Sequence, residues 1–440
     1  MTCARRSLLL VAVLAGCGGG RGGAPAPWSD AWLEREADRY LGPTAHRRAA
    51  LEASLVNPEN VYSRQRLKAY GLDTSGWDAL PVWNPRSRPV DRATAEALAR
   101  GEWPTLPAER VWDGTRPTTR AGWIALGRRV FFEFPLRPEF AVEHVLVPGA
   151  RGELPAGAAA RAATLGIEAT SDGGRPGLVV FDDVDGAHRV GITCAVCHTA
   201  VRDGVVVEGA ARRRIDLGML RLDYYRDTGA AIDPELARRM ATWGPGRADV
   251  TEDDDEDPVA IPDLWGLRHE TYLTHAGTIR HVGPAALALR QETQLLHASG
   301  LRVRPPRELA WALAMYLYAI EPPPPRPVAD DAAAAVARGA GLFDEHCRSC
   351  HDGPILAGDP VPAEKVGTDP SLAHGKARGT GKYRVTSLVR VADAAPYLHD
   401  GSVPTLAALL TAARPSPGHL YGTELAPEER AALVSYLESL

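Results

Sequence analysis

Apolar residues fall at helical spacing in four stretches of the 440-residue chain, and the four form two matching pairs. Ala121 to Glu133 (AGWIALGRRVFFE) is amphipathic, and Ala334 to Asp344 (AAVARGAGLFD) repeats it, with Gly127, Val130 and Phe131 matching Gly339, Leu342 and Phe343. Ala312 to Ile320 (ALAMYLYAI) aligns likewise with Ala432 to Leu440 (ALVSYLESL), so that Tyr316 and Leu317 match Tyr436 and Leu437. A glycine on such a helix lets a partner axis come close, so each pair reads as one crossing. Glu321 to Pro327 (EPPPPRP) is a stiff linker between the two halves. Nearer the start, Trp32, Arg35, Glu36, Arg39 and Tyr40 lie at helical spacing until Gly42-Pro43 breaks the run, while Trp83-Asn84-Pro85 and Trp103-Pro104 mark irregular segments. The period-two runs Glu143 to Val147 and Gly177 to Phe181 predict short strands.

A hydrophobic fraction of 45% and a charged fraction of 24% are ordinary for a globular protein, and the length allows two or three domains with substantial cores. The net charge of −5 gives nucleic acid no footing. Pro 36 and Gly 43 are together high, which favours helices joined by long, defined loops over extended sheet. At the N-terminus Arg5-Arg6 precedes the apolar run Leu8 to Leu14, a leader too short to span a bilayer as a stable helix. Leu14-Ala15-Gly16-Cys17 has the form of a bacterial lipoprotein processing site, with residues 1–16 removed and Cys17 the acylated new terminus. The plain alternative is a signal cut elsewhere, but the later Ala24-Pro25-Ala26 is followed by Pro27. Several acyl chains would anchor the protein to a membrane, as an outer-membrane lipoprotein facing the bacterial periplasm or cell surface. Residues 18 to 27 (GGGRGGAPAP) read as a flexible tether.

Of six cysteines, Cys3 and Cys17 belong to the leader. The other four sit in Cys194-Ala-Val-Cys-His198 and Cys347-Arg-Ser-Cys-His351, two copies of C-x-x-C-H, the haem c attachment signature. Each thiol adds across a haem vinyl group, and the adjacent histidine becomes the proximal iron ligand. Cys194, Cys197, Cys347 and Cys350 would thus hold two covalently bound haem c groups, with His198 and His351 on the irons. A zinc ion shared by four thiolates is the alternative. The histidine after each pair argues against it, as does a leader that carries the chain outside the cytoplasmic membrane, where bacteria attach haem c.

The expected fold is mainly α: two tandem cytochrome c domains, residues 119–325 and 326–440, after a tether and N-terminal helical and irregular extension over 17–118. The halves differ in one large way. Cys347 follows Phe343 by four positions and Cys194 follows Phe131 by 63, so the first domain carries a short β-containing insert at about 135–193, read as a hairpin flap beside the first haem. The acidic run Glu252 to Asp257 is either a solvated loop or a calcium site, since hard carboxylates suit calcium.

At this point the chain resembles the bacterial dihaem cytochrome c peroxidase superfamily. The resemblance rests on Leu126-Gly127…Phe131-Phe132, Tyr383 to Leu388 (YRVTSL) and Ala395 to Leu406 (APYLHDGSVPTL). Within it the chain is most similar to the rubber-oxygenase-like branch, at Trp243 to Arg247 (WGPGR), Ile261 to Leu267 (IPDLWGL) and Gly418 to Thr423 (GHLYGT). It covers about residues 119–440 and leaves the extension unexplained. Many classical members place a Met shortly after the Thr-Leu segment; here Met1, Met219, Met240 and Met315 are the four methionines, and none follows His351.

The ligand opposite each proximal histidine decides between electron transfer and catalysis. His419 is the candidate for the second iron, a role similar to that of the corresponding histidine in the rubber-oxygenase-like branch; His399 and His374 compete with it. By internal repeat, His297-Ala-Ser-Gly300 parallels His419-Leu-Tyr-Gly422, so His297 is either a ligand of the first iron or a loop histidine left by duplication; Met219 is a weaker candidate. Thr274-His275-Ala-Gly277 parallels Leu398-His399-Asp-Gly401 in the same way. Arg247 is either a haem-propionate partner or a surface arginine, and Trp265 either a relay or a packing residue. The resemblance implies an oxidoreductase that takes electrons from a small redox donor protein or quinol-linked cytochrome and reduces hydrogen peroxide at the first haem. A pure electron carrier with both irons six-coordinate is one rival. A haem-dependent oxygenase using dioxygen is the other.

Overall fold

The computed structural model describes residues 25–71, 76–149, 152–249, 256–300 and 302–440. The leader with Cys17, and residues 252–255 of the acidic run, lie outside them.

The extension begins with helices α1 (Asp30–Leu41), α2 (Thr44–Ser54) and α3 (Val61–Ala69). Ser29 and Asn60 cap α1 and α3 by accepting from Trp32 N and Ser63 N. Strand β1 (Ser87–Pro89) and α4 (Arg92–Ala99) follow. Its aromatic residues pack: Tyr40 stacks on Trp311 with ring centres 5.7 Å apart, and Trp83 meets Phe134 and Phe181 edge-on.

In the next stretch α5 (Arg120–Glu133) leads through β2 (Arg137–Pro138), α6 (Phe140–Leu146) and α7 (Ala158–Thr164) to the hairpin β3 (Leu178–Asp182) and β4 (His188–Ile192). Glu143 to Leu146 of the strand expected at Glu143 to Val147 instead end α6, with Val147 its extended cap, because Ala141, Val142, Val145 and Leu146 bury one helical face. The expected hairpin is present but belongs to a four-stranded sheet in the order β1-β3-β4-β2, with Ser87 opposite Phe181 and Arg137 opposite Ile192. A one-turn helix α8 (Ala195–His198) carries the first motif into β5 (Thr199–Arg202) and β6 (Val205–Glu208). Then come α9 (Leu217–Thr228), α10 (Pro234–Trp243), the two-residue strands β7 (Arg247–Ala248), β8 (Val259–Ala260), β9 (Tyr272–Leu273) and β10 (Ile279–Arg280), α11 (Pro284–Ala298) and α12 (Arg307–Leu317).

The last stretch runs α13 (Ala333–His346), β11 (Gly358–Pro362), α14 (Ala363–Val366), α15 (Ser371–His374), β12 (Lys382–Val385), α16 (Leu406–Leu409) and α17 (Pro427–Glu438). The two helix pairs read from the sequence cross at their glycines. A Cβ at Gly127 would lie 1.9 Å from the Ala312 carbonyl oxygen and 2.7 Å from Tyr316 Cβ; one at Gly339 would lie 2.1 Å from the Ala432 oxygen and 2.7 Å from Tyr436 Cβ. No other residue fits either crossing without moving an axis. The repeat extends to loop conformation. Thr274 and Leu398 hold φ of 72° and 69°, Gly277 and Gly401 φ of 60° and 66°, and the flanking pairs Leu273–Ile279 and Tyr397–Val403 bridge antiparallel in both copies.

The extension ties these parts together. Tyr40 and Tyr70 hydroxyls donate to Glu292 of α11 at 2.8 and 2.6 Å, and Arg307 pairs with its other oxygen at 3.1 Å, so a fully buried carboxylate is satisfied from three sides. Val61 N and Tyr62 N donate to Lys376 and Ala377 carbonyls, and Val56 N to that of Thr278, so the extension spans both halves. Among the described residues no helix is long and apolar enough to cross a membrane.

Candidate functional site

Each C-x-x-C-H opens on its own cavity. Cys347, Cys350 and His351 share one with Phe343, Leu406 and His419; Cys194, Cys197 and His198 share the other with Phe131, Leu287 and Leu317. In both, the proximal histidine is oriented by a backbone carbonyl: His351 Nδ1 donates to Leu356 O at 2.9 Å and His198 Nδ1 to Pro262 O at 3.1 Å. That fixes the tautomer and leaves Nε2 as the basic nitrogen, as for a metal-bound imidazole. Burial pushes His198 down to about 4 and lowers His351 as well, so both are held neutral, the form a metal ligand requires.

The residues fit haem c. All four thiols are unbridged, and burial pushes Cys194 up to about 12 and Cys197 and Cys347 up to about 11. A site that keeps sulfur uncharged suits thioethers and opposes a zinc ion held by thiolates. The two pairs also line different cavities, and among the described residues no three His, Cys, Asp or Glu side chains gather to hold a metal ion.

His419 faces His351 across the second cavity, with ring centres 6.4 Å apart. An iron between two imidazoles needs about 6 Å: about 2.0 Å per metal–nitrogen bond and about 1.1 Å from nitrogen to ring centre. The chain brings His419 there by breaking a helix. Pro415, Pro417 and Gly418 stop continuation beyond α16, His419 takes φ 49°, and its N–H donates to Val366 O at 2.7 Å. Burial pushes His419 down to about 4, and its Nδ1 is buried without a protein hydrogen-bond partner. The competing histidines do other things: His374 pairs with Glu364 at the surface at 3.0 Å, and His399 stacks on Tyr383 at 4.5 Å in the cavity wall.

Among the described residues the first cavity has no such partner. His297, read as either its second imidazole or a histidine left by duplication, stands elsewhere, edge-on to Trp77 at 6.3 Å and beside Val61, Arg64 and Lys68. The physical reason is helix length. From Ala285 to Ala298 there is neither glycine nor proline, so α11 runs on for 15 residues and carries His297 past the cavity to the extension. Leu287, Arg290, Gln291 and Gln294, one helical stripe of α11, line the cavity instead. Met219 is capped through its N–H by Asp216 and packs beside the core, and Met240 and Met315 are buried in core clusters. The wall contains one other histidine, His275, whose Nε2 donates to Ala260 O at 2.8 Å.

Arg247, read as either a propionate partner or a surface arginine, braces a turn. Its guanidinium donates to the Asp400 and Thr242 carbonyls, each at 3.2 Å, bracing the His399-Asp400-Gly401 turn, and it lines neither cavity. Arg290 and Arg378 reach the first cavity instead, and the second is reached by Arg213 and Arg384, paired with Asp263 and Glu270 at 2.7 Å each. The sequence carried a faint sign of the latter two, in Arg212-Arg213-Arg214 and in Tyr383-Arg384-Val385. Segment 260–263, Trp265, Glu270, His275 and Arg384 line both cavities and form their common wall. Trp265 is 3% exposed and donates to Glu208 O at 3.0 Å, so it packs whatever else it does. Of the acidic run, Glu256 pairs with Arg238 and Asp257 is buried.

Comparison with known proteins agrees with this chemistry. Residues 383–417 match the family described as RoxA-like, cytochrome c-like, a segment that includes the Tyr383–Leu388 and Ala395–Leu406 stretches and much of the second cavity's wall. The chain therefore has a haem c cytochrome character. No curated protein matches it. Among solved structures it is similar to hydrazine synthase of Kuenenia stuttgartiensis pressurised with xenon, at 17% identity over 46% of this chain and 79% of that one, TM-score 0.32. A MauG-like protein associated with microbial copper homeostasis is similar at 17% identity over 45% and 78%, TM-score 0.32.

Proposed function

We propose that the chain is a dihaem c-type cytochrome of the dihaem peroxidase superfamily, with tandem cytochrome c domains at 119–325 and 326–440, that reduces hydrogen peroxide at the first haem. The observation that carries this reading is the inequality of the cavities. Opposite His351 stands His419 at 6.4 Å, whereas the first cavity's wall holds His198 and only His275, whose Nε2–H is spent on the Ala260 carbonyl. An iron closed by two imidazoles exchanges electrons; one with a vacant position admits a small oxidant. His198 and His351 would hold the irons, and the haem would supply the redox chemistry. The chain's own residues do the rest: the Pro262 carbonyl sets the first imidazole, and Arg290, Gln291 and Gln294 supply polar groups within the first cavity. Electrons would come from a small redox donor to the second haem and cross the common wall to the first. Dioxygen in place of peroxide is the second reading, implied by the resemblance to the rubber-oxygenase-like branch at Trp243 to Arg247 and Gly418 to Thr423.

Low-temperature EPR of the oxidised and the one-electron-reduced protein tests the proposal, followed by peroxide consumption. A high-spin ferric signal in either state, with peroxide turnover, is expected. Two haems low-spin in both states would make the protein an electron carrier and end the enzymatic reading.

A further inference from the structure

One pair of polar side chains behind the first cavity, buried Tyr318 and half-buried His281, has no part in holding a haem. Tyr318, just beyond the end of α12, is 8% exposed, and its hydroxyl is hydrogen-bonded to His281 Nε2. His281 Nδ1 meets the Glu270 carbonyl oxygen at 2.7 Å. A carbonyl only accepts, so Nδ1 carries the proton; burial lowers the His281 pKa and keeps the ring neutral, leaving Nε2 as an acceptor. The Tyr318 O–H therefore points at a free imidazole lone pair. The rings stack at 5.5 Å and 24°, and Trp28 meets Tyr318 edge-on at 5.2 Å on the outer side. Both partners sit one residue behind the cavity: Leu317, next to Tyr318, and Glu270, which holds His281, are in its wall.

Phenol oxidation is costly in a buried site because the radical cation must lose its proton, and a hydrogen-bonded base removes that cost. We infer that Tyr318 with His281 is a one-electron donor site for the first haem, an inference that rests on the peroxide reading above. In the step, Tyr318 loses one electron to the haem site and its phenolic proton to His281 Nε2. The O–H bond breaks, an N–H bond forms, and a neutral tyrosyl radical and an imidazolium remain. Hydrogen peroxide is the oxidant; over a turnover, with two protons from solvent, it takes this electron and one delivered from the small redox donor through the second haem, and leaves as two waters.

The test is EPR of the oxidised holoprotein frozen after mixing with hydrogen peroxide, with optical haem spectra in parallel. A narrow radical signal that sharpens when the protein is grown on ring-deuterated tyrosine is expected; it should be lost in Tyr318→Phe and reduced in His281→Leu, while the haem bands still respond. The phenylalanine variant keeps the ring against Trp28, so folding is preserved. A radical undiminished in Tyr318→Phe, with haem bands responding, overturns the inference and leaves the peroxide reading intact. Haem bands unmoved by peroxide would instead end that reading. The pair is then judged by photo-oxidation with a ruthenium(III) complex, where a tyrosyl yield equal in wild type and Tyr318→Phe overturns it.

Discussion

Ala195 and Val196, between the cysteines of the first motif, are wholly buried, whereas Arg348 and Ser349 at the same places in the second are exposed. In the first motif Val196 belongs to the core that holds the sheet residues Val180 and Val190, and Ala195 to the core shared by α11 and the extension; the second is borne by the crossing of α13 and α17 and a few loops. Axially the order is reversed. The bare second cavity is closed by His419, and the sheltered first one has no second imidazole in the same relation. On the function proposed above, the two motifs would serve opposite uses through what surrounds them rather than through their attachment chemistry. An exposed edge with a closed axis suits exchange with a partner, and an enclosed edge with an open axis suits chemistry on a small molecule away from bulk water.

The largest effect that separates the two centres is a change of coordination. His419→Ala should convert the second haem from low-spin to high-spin and make it bind carbon monoxide when reduced, leaving the first haem's spectrum unchanged. His297→Ala should alter neither haem, since α11 carries that side chain away from the cavity. EPR and carbon monoxide difference spectra of both variants check this, and a high-spin first haem in His297→Ala would refute the assignment.

How far the sequence disclosed this follows from which forces act locally. The two crossings were legible because a close approach of axes leaves only glycine, and the same glycine and tyrosine recur at 127/316 and 339/436. The His275 and His399 turns were legible for a similar reason, since their left-handed backbone fixes the residues around them. Histidine 297 was not, because matching short strings ignores whether a helix stops between them. One segment has Pro415, Pro417 and Gly418 before its histidine and the other has no breaker, a difference of backbone path that moves the side chain to another face. Glu143 to Val147 misled on length, since five residues fit period two as well as one turn of helix, and burial of Val142 and Leu146 decided it. The extension was opaque because its role depends on a partner remote in sequence: Tyr40 and Tyr70 have meaning only against Glu292.

The next effect in size concerns how much each unit can yield. Gly127 crosses a helix in which every residue from Leu309 to Leu317 is buried, while α17 buries only Ala432, Leu433 and Leu437. Gly127→Ala therefore has no face on which to relax, and overpacking costs about 1–3 kcal/mol, at times more. Gly339→Ala meets the same clash on a helix free to shift outward and should cost less. Denaturant unfolding of both variants measures the difference, and an equal or larger loss in Gly339→Ala would contradict the view that the first unit is the more tightly enclosed.

The smallest effect is a pH dependence that should differ between two histidines of identical backbone setting. Burial, followed by the Arg384 charge, pushes His275 down to about 3, whereas His399 is lowered by burial but supported in its charged form by Asp400 and Asp369. The unfolded chain takes up a proton at each histidine near pH 6.5 while folded His275 refuses it, so stability is complete above that pH and falls as pH drops towards 3. Part of the His275 ring faces the cavity, which limits the loss to about 1 kcal/mol between pH 7 and 5. His275→Gln keeps a donor for the Ala260 carbonyl and removes the titration, so its unfolding free energy should vary less over that interval than that of the wild type. His399→Gln should flatten the curve less, because the folded protein resists that proton less strongly. Unfolding of the two variants at pH 7 and pH 5 compares the slopes. If His399→Gln flattened the curve as much as His275→Gln, the two turns would share one electrostatic setting, and their divergence would have to be sought in the haem ligands alone.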